Sequence, residues 1–224
     1  MNHDPLNSAS GADGARTLRL KKPRTPETVP SVRFLDCAAH AQEPWINGGG
    51  TTRTLARGKN RSGSADWRVS LADLNGAAKF SQFPEFDRSL LLVDDGVVDL
   101  HSHEGQILAR PGQAVNFSGD LNVWISLLAK PVRVLNVMTR RTAFRSNVSV
   151  ATNSLRITPA SVQILISLSG QWNVSSSLLK NVPLAPMHGI WIESRTEELD
   201  LHHVGAGAEL VSIAIEPIAD ASEH

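Results

Sequence analysis

Val162-Gln163-Ile164-Leu165-Ile166-Ser167-Leu168 carries a large apolar residue at every second position, the period a β-strand shows when one face is buried and the other wet. Leu121-Asn122-Val123-Trp124-Ile125-Ser126-Leu127 repeats the pattern, and both segments are predicted as strands of antiparallel type. Turn chemistry interrupts such runs at Asp95-Gly96, Glu104-Gly105, Pro111-Gly112, Ser118-Gly119-Asp120, Ser169-Gly170 and Gly205-Ala206-Gly207. Helical turns are expected only near residues 37–42 and around residues 77–81. The chain therefore reads as all-β.

A weak internal repeat extends this reading. Residues 89–137 run through an apolar strand, a turn, a short strand, Leu108-Ala109-Arg110-Pro111-Gly112, and closing strands that end in Val134-Leu135-Asn136-Val137. Residues 162–216 follow the same order through Trp172-Asn173-Val174, Leu184-Ala185-Pro186-Met187-His188-Gly189 and Ile190-Trp191-Ile192. Two similar β-barrels or sandwiches in tandem account for it; one long sandwich is the alternative.

Of 224 residues, 22 are Lys or Arg and 22 are Asp or Glu, so no bulk field favours nucleic acid or an anionic membrane. One cysteine excludes an internal disulfide and a Cys-rich zinc module, and a reducing cytoplasm is the expected setting. The longest uncharged segment, residues 157–179, carries Gln163, Gln171, Asn173 and six serines, which is no membrane span. Residues 1–31 hold five Lys/Arg against three Asp/Glu and few large apolar groups, and read as a flexible tail.

The densest unusual segment is Pro44-Trp45-Ile46-Asn47-Gly48-Gly49-Gly50-Thr51-Thr52-Arg53. Three consecutive glycines serve either an anion-binding nest of backbone N–H groups, with Asn47, Thr51 and Arg53 as further donors, or a tight loop packed on Trp45. In Asp66-Trp67-Arg68-Val69-Ser70-Leu71-Ala72, alternation puts Arg68, Ser70 and Ala72 on one face. If that face lines an interior, the guanidinium needs a partner, and a ligand carboxylate held bidentately supplies one; an exposed arginine or a pair with Asp87 is the plainer alternative. Phe80, Phe83 and Phe86 form an aromatic wedge with a structural role. His101-Ser102-His103 has chelating spacing but sits at a hairpin tip, where histidines are solvated. No Gly-x-Ser-x-Gly elbow occurs, and Cys37 has no evident His partner.

Trp45-Ile46-Asn47-Gly48-Gly49-Gly50-Thr51-Thr52-Arg53, Trp67-Arg68-Val69-Ser70, Phe80-Ser81-Gln82-Phe83-Pro84 with Asp87-Arg88, Phe117-Ser118-Gly119-Asp120 and Leu135-Asn136-Val137-Met138-Thr139-Arg140-Arg141 together resemble the HutD/Ves family. The resemblance covers residues 32–145 and implies a bicupin: a tail (1–31), a cupin-like barrel with a ligand pocket (32–145) and a second barrel (146–224), with strands exchanged between them in one variant. It also implies a role in histidine utilisation, where members are thought to restrain induction by binding an intermediate such as urocanate or formylglutamate. The chain departs from the family pattern at Glu85, where glycine is common, and at Val134, where the pattern has aspartate.

These readings converge on a cytoplasmic small-molecule-binding protein whose first barrel takes an anionic, amino-acid-derived metabolite. Arg68 clamps a carboxylate, Asn47 with Gly48, Gly49, Gly50 and Arg53 adds donors, Trp45 and Phe83 cover the apolar part, and Ser70, Ser81, Asn136 and Met138 complete the set. The reading needs no catalytic residue, metal or cofactor, involves neither nucleic acid nor membrane, and leaves room for a homodimer. The alternatives are a metal-dependent cupin enzyme and a scaffold acting through its tail.

Overall fold

The computed structural model describes residues 31–46, 48–59, 65–126 and 129–218. Of the segment read as a tail, Ser31 opens the first strand and the rest lies outside the described residues, as do Asn47 and Leu127. In chain order the strands are β1 (Ser31–Asp36), β2 (Glu43–Pro44), β3 (Gly50–Lys59), β4 (Ala65–Leu74), β5 (Ala78–Lys79) and β6 (Phe86–Leu92). There follow β7 (Val98–Ser102), β8 (Gly105–Ala109), β9 (Val115–Ser118), β10 (Trp124–Ile125), β11 (Val132–Arg140) and β12 (Phe144–Ala151). The last are β13 (Leu155–Ile157), β14 (Val162–Ser175), β15 (Val182–Leu184), β16 (His188–Glu193) and β17 (Leu199–Pro217). No helix occurs among the described residues, and none is long and apolar enough to cross a membrane. The helical turns expected near 37–42 and 77–81 are instead a tight turn after β1 and the strand β5.

The strands form three sheets in which every strand pair is antiparallel. One has the order β2-β3-β4-β11-β6-β9, a second β5-β10-β7-β8, and the third β1-β16-β14-β17-β12, with β13 beside β17 and β15 beside β14. Ser31–Asp36 thus reaches across the sequence to pair with β16.

Three apolar cores separate the layers. Trp67, Val69, Leu71, Leu135 and Val137 of the first sheet face Ile164, Ile166, Val211 and Ile213 of the third. The other face of the first sheet, with Leu74, Leu90, Leu92 and Val134, closes on Val98, Leu100 and Ile125 of the second. Leu165, Trp172, Ile190 and Leu210 form the third core on the remaining face of the third sheet. β14 is therefore covered on both sides, and this corrects the expected wet face of 162–168: Gln163 and Ser167 are buried. Burial without loss of hydrogen bonding is possible because Gln163 Nε2 donates to Ser212 Oγ (3.0 Å) and to the Ile213 carbonyl (3.1 Å). The expected strand at 121–127 shortens to Trp124–Ile125, since the preceding residues form the turn that closes on the Ser118 carbonyl.

Candidate functional site

The cavity follows from strand register. Cross-strand partners point to the same face of a sheet, so pairing of β11 with β4 and β6 sets side chains in rows. Arg68, Met138 and Arg88 make one row, Ser70, Asn136 and Leu90 the next, and Ala72, Val134 and Leu92 the third. Two arginines thereby stand on either side of one methionine, facing the interior between the first two sheets. A cavity of about 570 Å³ opens over these rows, walled by Arg68, Ser70, Arg88, Val134 and Asn136, and covered by Trp45, Phe80, Ser81 and Phe83.

Arg88 is only 4% exposed. Its Nε and Nη2 donate to Asn136 Oδ1 at 3.4 and 3.3 Å, and Nη1 donates to the Ser81 carbonyl at 3.3 Å. Its guanidinium lies over Phe80, Phe83 and Phe117 at 5.0, 5.9 and 5.1 Å from the ring centroids. Arg68 is half-buried, donates from Nη2 to Met138 Sδ at 3.4 Å and sits 5.2 Å from the Phe83 centroid. Among the described residues neither guanidinium hydrogen-bonds a carboxylate. Burial, followed by the nearby charge of Arg68, pushes the Arg88 pKa down to about 10. Burial likewise lowers Arg68, which the Glu43 charge partly offsets. Both remain cationic at neutral pH. The cavity also presents Asn122, whose Oδ1 is buried and without a hydrogen-bond partner among the described residues. Such an arrangement holds an anion against the guanidiniums and asks for a donor opposite Asn122.

The sequence-predicted residues divide. Trp45, Arg68, Ser70, Ser81, Phe83 and Asn136 meet at the cavity, and Met138 backs Arg68. The Trp45 indole donates to Thr52 Oγ1 at 2.7 Å, which fixes its ring edge-on to Phe80. Gly48, Gly49 and Gly50 stand outside the cavity wall. The Gly48 φ of 71° turns the chain so that Gly48 N–H reaches the Trp45 carbonyl and Trp45 N–H the Gly50 carbonyl, while a Cβ on Gly50 would run into the Asp73 carbonyl. Arg53 lies in a separate hollow, paired with Asp73 at 2.7 Å.

Arg88, Asn122 and Glu43 are cavity residues that the sequence reading did not select. Arg88 is in phase with Leu90 and Leu92, which could have placed it inward, but Ser89-Leu90-Leu91-Leu92 is buried on both faces and masks the phase. Val134, the departure from the family pattern, is fully buried in the same wall, so no carboxylate stands there to neutralise Arg88. Glu85 adopts a positive φ of 68°, the conformation in which glycine is unstrained. At the His101-Ser102-His103 motif, His101 Nε2 lies 2.9 Å from Ser126 Oγ and 3.2 Å from Asp99 Oδ2, and His103 is exposed. Among the described residues no three His, Cys, Asp or Glu side chains converge to hold a metal.

Residues 37–211 match the family model named HutD. Protein Ves of Cronobacter sakazakii is 29% identical over 172 residues, 76% of this chain and 92% of that protein. An uncharacterised 21.2 kDa protein from the hutC 3′ region of Pseudomonas putida is 28% identical over 66% of this chain and 79% of its own length. The solved structure of HutD from Pseudomonas fluorescens SBW25 superposes with a TM-score of 0.74 at 18% identity, covering 84% of this chain and all of that one. With a family match across most of its length and the same all-β architecture, the chain belongs to the HutD family.

Proposed function

We propose that the protein binds a small carboxylate-bearing metabolite derived from an amino acid, such as formylglutamate or urocanate, and acts as a cytoplasmic regulator or sensor linked to histidine utilisation. The chain is read as two cupin-like barrels in tandem (32–145 and 146–224), with the ligand in the first and with β1 exchanged onto the sheet of the second. One observation carries the binding: two guanidiniums that hydrogen-bond no carboxylate among the described residues face a cavity of about 570 Å³, a volume suited to a small molecule. The ligand carboxylate would bridge Arg68 and Arg88, an N–H on the ligand would reach Asn122 Oδ1, and Trp45 and Phe83 would flank its carbon skeleton. The hutC-region relative supports the pathway link.

Thermal shift and calorimetry with formylglutamate, urocanate, histidine, glutamate and formate test this reading. A ligand at about 100 times its dissociation constant should stabilise the fold by roughly 2.7 kcal/mol. If no compound raises the melting temperature, or if Arg68→Ala binds as tightly as the parent, the proposal fails.

A further inference from the structure

Three motifs distant in sequence meet at one end of the cavity: residues 80–86, Ser118-Gly119-Asp120 and Arg140-Arg141. Residues 80–85 belong to no strand, so no ladder fixes them. Their place is set by other bonds. Phe83 N–H donates to the Gly119 carbonyl (2.8 Å) and Gly119 N–H to the Phe86 carbonyl (2.7 Å). Gln82 Nε2 donates to the Asp120 carbonyl at 2.8 Å, and Glu85 N–H to Asp120 Oδ1 at 3.0 Å. Arg141 closes the ring from outside: Nη2 reaches Asp120 Oδ2 and Ser118 Oγ, both at 2.9 Å, Nε reaches Asp87 Oδ1 at 2.8 Å, and its own N–H donates to the Glu85 carbonyl at 2.8 Å.

The side chains of Asp120 and Arg141 lie outside the cavity wall and are both about 45% exposed. An isolated pair so exposed contributes little, but here it ties together backbone donors and acceptors of one loop. That loop delivers the Phe83 ring and the Ser81 carbonyl to the two cavity arginines.

We propose that Asp120 and Arg141 are positioning residues for ligand binding: they hold residues 80–86 so that Phe83 and the Ser81 carbonyl orient the Arg68 and Arg88 guanidiniums. The inference rests on the cavity being the binding site. It predicts that loosening the clasp weakens binding without removing any group that touches the ligand.

Hydrogen exchange and calorimetry on Asp120→Ala, Arg141→Ala and Arg141→Lys, with formylglutamate as the probe, test it. The alanine variants should exchange the amides of residues 81–86 at least tenfold faster and bind at least fivefold more weakly, with β4 and β11 exchange within twofold of the parent. Arg141→Lys should recover part of both. The positioning role is overturned if residues 81–86 exchange at the parental rate, if β4 and β11 loosen to the same degree, or if affinity persists in a loosened loop. A parent protein that binds none of the tested anions removes the binding site and the positioning role with it, while the exchange data still report on the clasp separately.

Discussion

Arg88→Met should stabilise the unliganded protein while weakening its response to anions. A guanidinium pKa held at about 10, well below the ordinary arginine range, means that the folded protein disfavours the charged form by roughly 3 kcal/mol. Methionine removes that cost and offers thioether–ring contacts with Phe80 and Phe117 in exchange for the cation–π contacts of the guanidinium, at similar strength. Against this, Asn136 Oδ1 and the Ser81 carbonyl lose a donor, a loss of roughly 1–2 kcal/mol. The balance is a gain of about 1–2 kcal/mol, or roughly 2–8 °C in melting temperature for a chain of this size. The penalty is fully present below the folded-state value near 10 and is relieved only as pH rises from there toward the ordinary arginine value, so the gain should be equal at pH 6 and pH 8. Losing a charge-assisted hydrogen bond of roughly 1.5–3 kcal/mol should weaken carboxylate binding about 10- to 150-fold. Thermal melts and urea titrations of both proteins, with and without formylglutamate, read both effects. An unliganded variant that melts several degrees below the parent, or one stabilised by ligand as strongly as the parent, refutes the reasoning.

Three further outcomes follow from individual residues. Val134→Asp places a carboxylate in the cavity wall with the arginines and should lower anion affinity at least tenfold by calorimetry while leaving the fold intact. Glu85→Gly relieves a positive φ at the cost of an ion pair with Arg140 made by a largely exposed carboxylate, so the melting temperature should rise by roughly 1–4 °C. Burial raises the Cys37 thiol to about 11, so at pH 8 the native protein should resist iodoacetamide, seen as unmodified intact mass, and react only once unfolded.

Alternation at period two predicts strands correctly through 162–168 and 66–72, and the facing of Arg68, Ser70 and Ala72 away from Trp67, Val69 and Leu71 follows from it. It fails on what lies beyond each face. Gln163 and Ser167 look solvent-facing by pattern, yet a second layer covers them, and their hydrogen-bond partners on β17 and at the Ser169–Gly170 bulge within β14, where the sequence suggested a turn, make this tolerable. The site suffers from the same blindness to partners. Arg68 is legible because its own strand alternates cleanly. Arg88 is not, because β6 is apolar on both faces and its row is defined only by register with Met138. The glycine run reads as unusual for a good reason, but the reason is contact with Ala78 and Asp73, which no local pattern reveals.

Arg195 shows why burial alone does not make a guanidinium a binding group. It is as buried as Arg88, but its Nη1 donates to the Glu197 carbonyl at 2.6 Å and its Nη2 to the Thr158 carbonyl, within a loop end that offers acceptors at close range. Its hydrogen-bonding capacity is largely spent inside the protein, which suits a structural clasp. Arg53, Arg133, Arg140 and Arg141 are each matched to an aspartate within 3.1 Å. Among the described residues Arg88 has only acceptors at 3.3–3.4 Å, aromatic faces, and a second cation as its charged neighbour. Among the described residues, a chain without net charge therefore concentrates positive charge locally by pairing Arg53, Arg133, Arg140 and Arg141 with aspartates and leaving Arg68 and Arg88, on either side of Met138, without a hydrogen-bonded carboxylate. Replacing Met138 by glutamate would supply a counter-charge from inside the row and should weaken anion binding at least as much as removing Arg88 does.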